Sequence, residues 1–148
     1  GMYFYDGIAG IVLFLAQYLK LYHNKDVEKV YRLAVQKLKK YTDMCWKQPN
    51  YSELLTTGLY DGESSIVYVY LLLYGQEEWM EYAQKHFGIV RRLIPKDQNM
   101  DYLTGNAGAI AVALKLYKVT GRTEYCEIAT ETEKDLWKFH QKNCQQIK

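Results

Sequence analysis

Apolar and polar positions follow two alternating patterns along this chain. Ile8–Ala16 is apolar on nearly every side apart from Gly10, and Tyr18, Leu19, Leu21 and Tyr22 extend the run. A helix that is apolar all round is expected to be buried all round. His23-Asn24-Lys25-Asp26 reads as a turn, with Asp26 as the N-cap of the next helix. That helix carries Val27, Val30, Tyr31, Ala34, Leu38 and Tyr41 on one face, while Lys29, Arg32, Lys37 and Lys40 lie off the stripe, so it is half exposed.

The same pair of patterns returns twice. Ile66–Tyr74 is apolar throughout, and its β-branched and aromatic content alone would suggest a strand; its place in the repeat makes it a helix, with Gly75 as the C′ glycine. Trp79, Tyr82, Ala83, His86, Phe87, Val90 and Leu93 form the following stripe, closed by Ile94-Pro95. Ala107–Ala113 is small and apolar and suits close helix packing. Gly121 ends that helix, Thr123 caps the next, and Tyr125, Ile128, Ala129, Thr132, Leu136 and Phe139 make its buried face. The polar tail from Gln141 is expected to fray.

A short glycine motif opens each apolar run: Tyr5-Asp6-Gly7-Ile8-Ala9-Gly10, Tyr60-Asp61-Gly62-Glu63-Ser64-Ser65 and Leu103-Thr104-Gly105-Asn106-Ala107-Gly108. The reading is therefore all-α, with six main helices paired as 8–22/26–43, 64–74/77–94 and 106–120/123–140, the first of each pair the more buried. Buried helices flanked by amphipathic ones describe two concentric layers, an arc of an α/α toroid. The motif glycines Gly7, Gly62 and Gly105 stand 55 and 43 residues apart, against about 34 in a tetratricopeptide array. Glycines Gly7, Gly10, Gly62, Gly105 and Gly108 let the chain turn sharply into a helix and let a neighbouring backbone approach closely, which reads as packing; the alternative reading is that the helix N-termini converge on the mouth of the toroid with their free N–H groups facing a ligand. Ser65 stands where the second copy would have its second glycine.

Length and charge narrow the picture. A chain of 148 residues suffices for one domain, and two prolines favour long helices. A net charge of +2 spread along the chain gives no electrostatic case for nucleic acid. No apolar run reaches the length of a membrane span. Cys45, Cys126 and Cys144 are far apart and form no C-x-x-C, which argues against a disulfide framework and for a reducing cytoplasm. Gly1 before Met2 reads as a tag scar, and the Asn50-Tyr51-Ser52 sequon as chance.

Tyr5-Asp6-Gly7-Ile8-Ala9-Gly10-Ile11 with Leu13-Phe14-Leu15-Ala16, and Asp101-Tyr102-Leu103-Thr104-Gly105-Asn106-Ala107-Gly108-Ala109-Ile110, resemble the lanthionine synthetase C-like family. The closest likeness is to the cyclase domain of class II lanthionine synthetases. Leu116-Tyr117-Lys118-Val119-Thr120-Gly121, followed by Tyr125 and Ala129, resembles the same family's helical hairpin. The resemblance covers nearly the whole chain but only part of the family's domain, so residues 1–148 are expected to be a single partial domain. It implies an α/α toroid that adds a precursor peptide's cysteine thiol to dehydroalanine or dehydrobutyrine in bacterial lantibiotic biosynthesis, with zinc as cofactor in a complete member. The zinc ligands, two cysteines and a histidine, belong to segments absent from this sequence. None of the three cysteines matches them, so this chain alone is expected to hold no metal and to be inactive.

One catalytic position carries over from the resemblance: Asp101, four residues before Gly105, in the place of a family aspartate with a general acid–base role. Its other reading is a turn aspartate without chemistry. Asp6 and Asp61 read as helix-entry residues. His140 and Cys144 stand at i, i+4 spacing, but two ligands do not make a structural zinc site. Two alternatives stay open: a non-catalytic helical-repeat protein that binds a peptide, and another α/α toroid enzyme such as a glycosidase, which would need paired carboxylates from Asp6, Asp61 and Asp101. The end hairpins have one neighbour each, which predicts self-association through open toroid edges.

Overall fold

A computed structural model describes residues 7–48, 55–59, 62–73, 79–96 and 105–146, with the side chains of α6 described to Lys138 apart from Leu136. Six helices form three hairpins: α1 (Ile8–Leu21) with α2 (Lys25–Lys47), α3 (Glu63–Leu71) with α4 (Trp79–Leu93), and α5 (Asn106–Thr120) with α6 (Thr123–Gln146). α3 packs between α1 and α5, and α2 packs on α4. The arrangement is that of an α/α toroid arc, with the first helices of the hairpins in one layer and the second helices in the other. The stretch Ile66–Leu71 is helical despite its strand-like composition, because it lies within α3 and is covered from several sides.

Local chemistry explains the boundaries. Asn24, not Asp26, caps α2: its Oδ1 accepts the N–H groups of Asp26 and Val27 at 3.0 and 3.1 Å. Asn24 holds the extended backbone that a cap requires, while Asp26 is already inside the first turn. α2 runs to Lys47 because Cys45 is buried against Ile89 and Leu93 of α4, which anchors an extra turn. α3 stops at Leu71, where Leu72 donates to Val69 and Leu73 to Tyr70 in tighter i→i+3 bonds. Gly121 takes φ 72° and donates to Tyr117, the left-handed stop expected of it. Thr123 is the first residue of α6 itself. Gly75 lies outside the described residues.

One hydrophobic core draws on all six helices, from Ala9, Val12 and Ala16 through Leu38, Ile66, Tyr70 and Phe87 to Leu116, Tyr125 and Ala129. Phe87 and Tyr125 meet edge to face at 5.3 Å between ring centroids. The expectation of uniform burial holds for α3, whose Glu63–Val67 segment is wholly buried, but not for α1. Phe14 and Leu21 of α1 are 69% and 77% exposed. Val30, placed by periodicity on the buried stripe of α2, is also exposed, and Val35, Thr42 and Cys45 complete that stripe instead. Both corrections have one cause: the first hairpin has a neighbour on one side only.

Candidate functional site

Two features gather polar chemistry. The first is the junction where α3 and α5 begin. Gly7, Gly62 and Gly105 are the residues immediately before α1, α3 and α5, all in extended backbone and none with a capping side chain. Gly10 and Gly108 lie in the first turns of their helices. At α3 the segment 55–59 folds over the helix start. Thr56 O accepts the Glu63 N–H at 2.8 Å, Thr57 O accepts the Ser64 hydroxyl at 2.5 Å, and Gly62 O accepts the Ser65 hydroxyl at 2.7 Å. Thr57 donates its hydroxyl to Asn106 Oδ1 at 2.8 Å, and the Asn106 amide donates to Ile94 O at 3.0 Å. Thr57 thus ties the start of α3 to the start of α5, and Asn106 ties both to the end of α4. A Cβ built on Gly62 would stand 2.3 Å from Gly58 N, so the glycine there serves a close backbone approach.

The second feature is a polar network inside the core, built from α2, α3 and α4. The Glu63 carboxylate is wholly buried; Tyr41 donates its hydroxyl to Oε1, and His86 Nε2 stands 3.4 Å from Oε2. A carboxylate only accepts, so an attractive contact requires the hydrogen on Nε2. His86 Nδ1 lies 2.9 Å from Thr42 Oγ1, which also meets the Tyr70 hydroxyl at 2.7 Å. Tyr41 and Tyr70 flank the imidazole, with ring centroids 6.0 and 6.3 Å away. Among the described residues, no buried side-chain nitrogen or oxygen lacks a partner.

Burial raises the Tyr70 hydroxyl's pKa, and it pushes the Cys45 thiol up to about 11 despite a hydrogen bond to Tyr41. At the rim, burial works to raise the Asp43 carboxyl. The Lys85 ammonium, in contact with Oδ1, and the Tyr82 hydroxyl outweigh it and hold the group below its ordinary range.

Sequence reasoning placed His86 and Tyr41 on buried stripes but gave them no polar role, and it gave Glu63 none. The available signal was a carboxylate at the first position of α3, just ahead of its apolar run Ile66–Leu71, matched by one histidine on an apolar face. Asp101, Asp6 and Asp61 lie outside the described residues, as do the side chains of His140 and Cys144. His23 is exposed in the turn between α1 and α2. A cleft of about 230 Å³ between the end of α4 and α6 is lined by Arg91, Ile94, Pro95, Ile128, Glu131, Thr132 and Asp135.

The family model described as lanthionine synthetase C-like protein matches residues 1–146. The chain belongs to that family. No curated protein matches the chain. The described part of this lanthionine synthetase C-like chain does not fit the zinc that the resemblance implies. Among the described residues, no three His, Cys, Asp or Glu side chains converge on one point. Both ring nitrogens of His86 are engaged, by Thr42 and Glu63. Cys45 is held as a neutral thiol in the core, whereas a metal takes the thiolate. Among the described residues, no helix is long and apolar enough to cross a membrane.

Proposed function

We propose that this chain is a peptide-binding helical-repeat scaffold of the lanthionine synthetase C-like family and carries no thiol-addition chemistry of its own. The observation that carries the reading is where the reactive groups sit. Glu63, His86 and Cys45 are at most 1% exposed and engaged with one another's neighbours, so no substrate atom reaches them. Their work is to tie three helices together. A buried, fully partnered network of this kind specifies one packing arrangement rather than a reaction.

Family membership supports a second reading, of the parent rather than of this chain: the residues form the first part of a cyclase domain. There a cysteine thiolate of the precursor peptide adds to the β-carbon of dehydroalanine or dehydrobutyrine, and the α-carbon takes up a proton to leave a thioether. Zinc would activate the thiol, and Asp101 would assist the proton transfer.

The test uses a fluorescein-labelled peptide containing one dehydroalanine and one cysteine. Saturable fluorescence anisotropy on titration with the 148-residue chain, with thioether formation no faster than in buffer, is the expected result. Cyclisation above the buffer rate would assign the chemistry to this chain. An unchanged anisotropy up to millimolar protein would remove the peptide-binding reading.

A further inference from the structure

We propose, resting on the peptide-binding reading above, that the cleft between α4 and α6 seats the peptide and takes an aromatic side chain with a basic residue beside it. The repeat points to the occupant. Two seams run between neighbouring second helices, α2/α4 and α4/α6. The α2/α4 seam is filled at the C-terminal end of α4. There the Trp46 ring lies on Gly88, where an added Cβ would stand 2.6 Å from a ring carbon, and Arg92 covers the ring at 4.2 Å from its centroid. The α4/α6 seam is closed at its other end, where Arg122 donates to Gln84 at 2.7 Å and Phe87 meets Tyr125 edge to face. Further along, at the C-terminal end of α4, that seam opens into the cleft of about 230 Å³. The chain's own ring closes one seam, and a peptide's ring closes the next.

The lining gives the chemistry. Ile94, Pro95 and Ile128 offer an apolar seat. An apolar cavity of about 150 Å³ takes up benzene, so this one has room for a larger ring such as indole. Arg91 lines the same space and supplies a cation to cover that ring, as Arg92 covers Trp46. Glu131 and Asp135 stand one turn apart on α6, facing the cleft. All three charged residues are exposed, and none is ion-paired with another described residue. Two carboxylates against one guanidinium leave an excess of negative charge. The residue beside the ring is therefore lysine or arginine, and a peptide with an acidic residue there is repelled.

Fluorescence anisotropy with fluorescein-labelled Ser-Gly-Trp-Lys-Gly-Ser tests the assignment. Wild type is expected to bind this peptide saturably, and to bind it more tightly than the same peptide with alanine for tryptophan or glutamate for lysine. The double variant Glu131→Lys/Asp135→Lys changes two exposed positions, and circular dichroism checks that its helices remain. It should bind the lysine peptide about tenfold more weakly, the factor that two exposed ion pairs supply together. It should also bind the glutamate peptide more tightly than wild type does. If the double variant loses helicity, Glu131→Gln/Asp135→Asn carries the test, read as loss of the preference for lysine over glutamate. A variant that keeps its helices and binds both peptides as wild type does overturns the cleft assignment and leaves the peptide-binding reading standing. So does a wild type that binds the dehydroalanine peptide but not the tryptophan–lysine one. A wild type that binds neither overturns both.

Discussion

Replacing Gly62 with alanine tests the claim that this glycine exists for a close approach. Its φ of −164° is ordinary extended backbone, open to any residue, so alanine meets no conformational penalty there. Its Cβ would meet backbone atoms, Gly58 N at 2.3 Å and Gly58 O at 2.8 Å, together with Thr56 Oγ1 at 2.7 Å. The 55–59 segment must move, at a cost of about 1–3 kcal/mol for overpacking. Its movement also strains the Glu63 N–H bond to Thr56 and the Thr57–Asn106 bond, each worth about 1 kcal/mol. The lower chain entropy of unfolded alanine returns about 0.4–1 kcal/mol. The net loss is about 2–3 kcal/mol, a fall in Tm of roughly 5–10 °C for a domain of this size. Gly121→Ala is the matched control. That site has open space within 4 Å but φ +72°, so its cost is conformational, about 1 kcal/mol once the entropy gain is subtracted. Thermal melts by circular dichroism at one low protein concentration compare the three proteins. A Gly62→Ala protein that melts with wild type, or above it, refutes the close-approach argument.

The buried network makes a second stability claim: Thr42→Val keeps the shape but removes the hydroxyl shared by Tyr70 and His86, and urea unfolding should show a loss of about 2–3 kcal/mol. Glu63→Ala should cost more, about 3–5 kcal/mol, because it empties a fully buried site and removes a group that both half-buried Tyr41 and buried His86 contact; equal stability of either variant with wild type would contradict the assigned contacts. For Asp43 the folded pKa is depressed, so its contribution is present above the unfolded value of about 3.9 and is lost as pH falls through the folded one. Asp43→Asn should lower stability at pH 7 by under about 1 kcal/mol, since the pair is partly exposed, and by progressively less as the pH falls through the folded pKa. Cys45, buried with a thiol pKa of about 11, should resist iodoacetamide at pH 8 while half-buried Cys126 reacts, read by peptide mapping; early labelling of Cys45 would mean that the core around α2 opens.

The hairpins were legible because a helix-length apolar run and an amphipathic stripe alternate three times, and periodicity plus repetition leaves little else to choose. What periodicity missed is specific. It capped α2 with Asp26 because aspartate is a good cap, although Asn24 is as good and two residues earlier; the turn's path, not propensity, decided between them. It ended α2 at residue 43 because the stripe fades there, while burial of Cys45 against Ile89 and Leu93 depends on a partner helix no local pattern encodes. The junction at Thr57 and Asn106 was invisible for the same reason, since the two residues stand 49 apart in sequence.

α1 and α3 carry the same pattern and meet different fates, and the difference is instructive. Both are apolar on nearly every side, yet Ile66, Val67, Val69 and Tyr70 of α3 are fully buried while Ile11 and Phe14 of α1 face outwards. Apolarity reports what a helix can bury; burial is set by how many neighbours it has. Among the described residues, α3 packs on α1, α4 and α5, and α1 on α2 and α3. The central position also explains where the ionisable network sits. A buried carboxylate needs partners from more than one direction, and α3 is packed by second helices as well as by its layer neighbours. Glu63 draws Tyr41 from α2 and His86 from α4. The polar network and the uncovered apolar flanks are thus two results of one topology. Among the described residues, the middle of the arc has neighbours enough to partner a buried polar side chain, while α1 leaves Ile11 and Phe14 exposed.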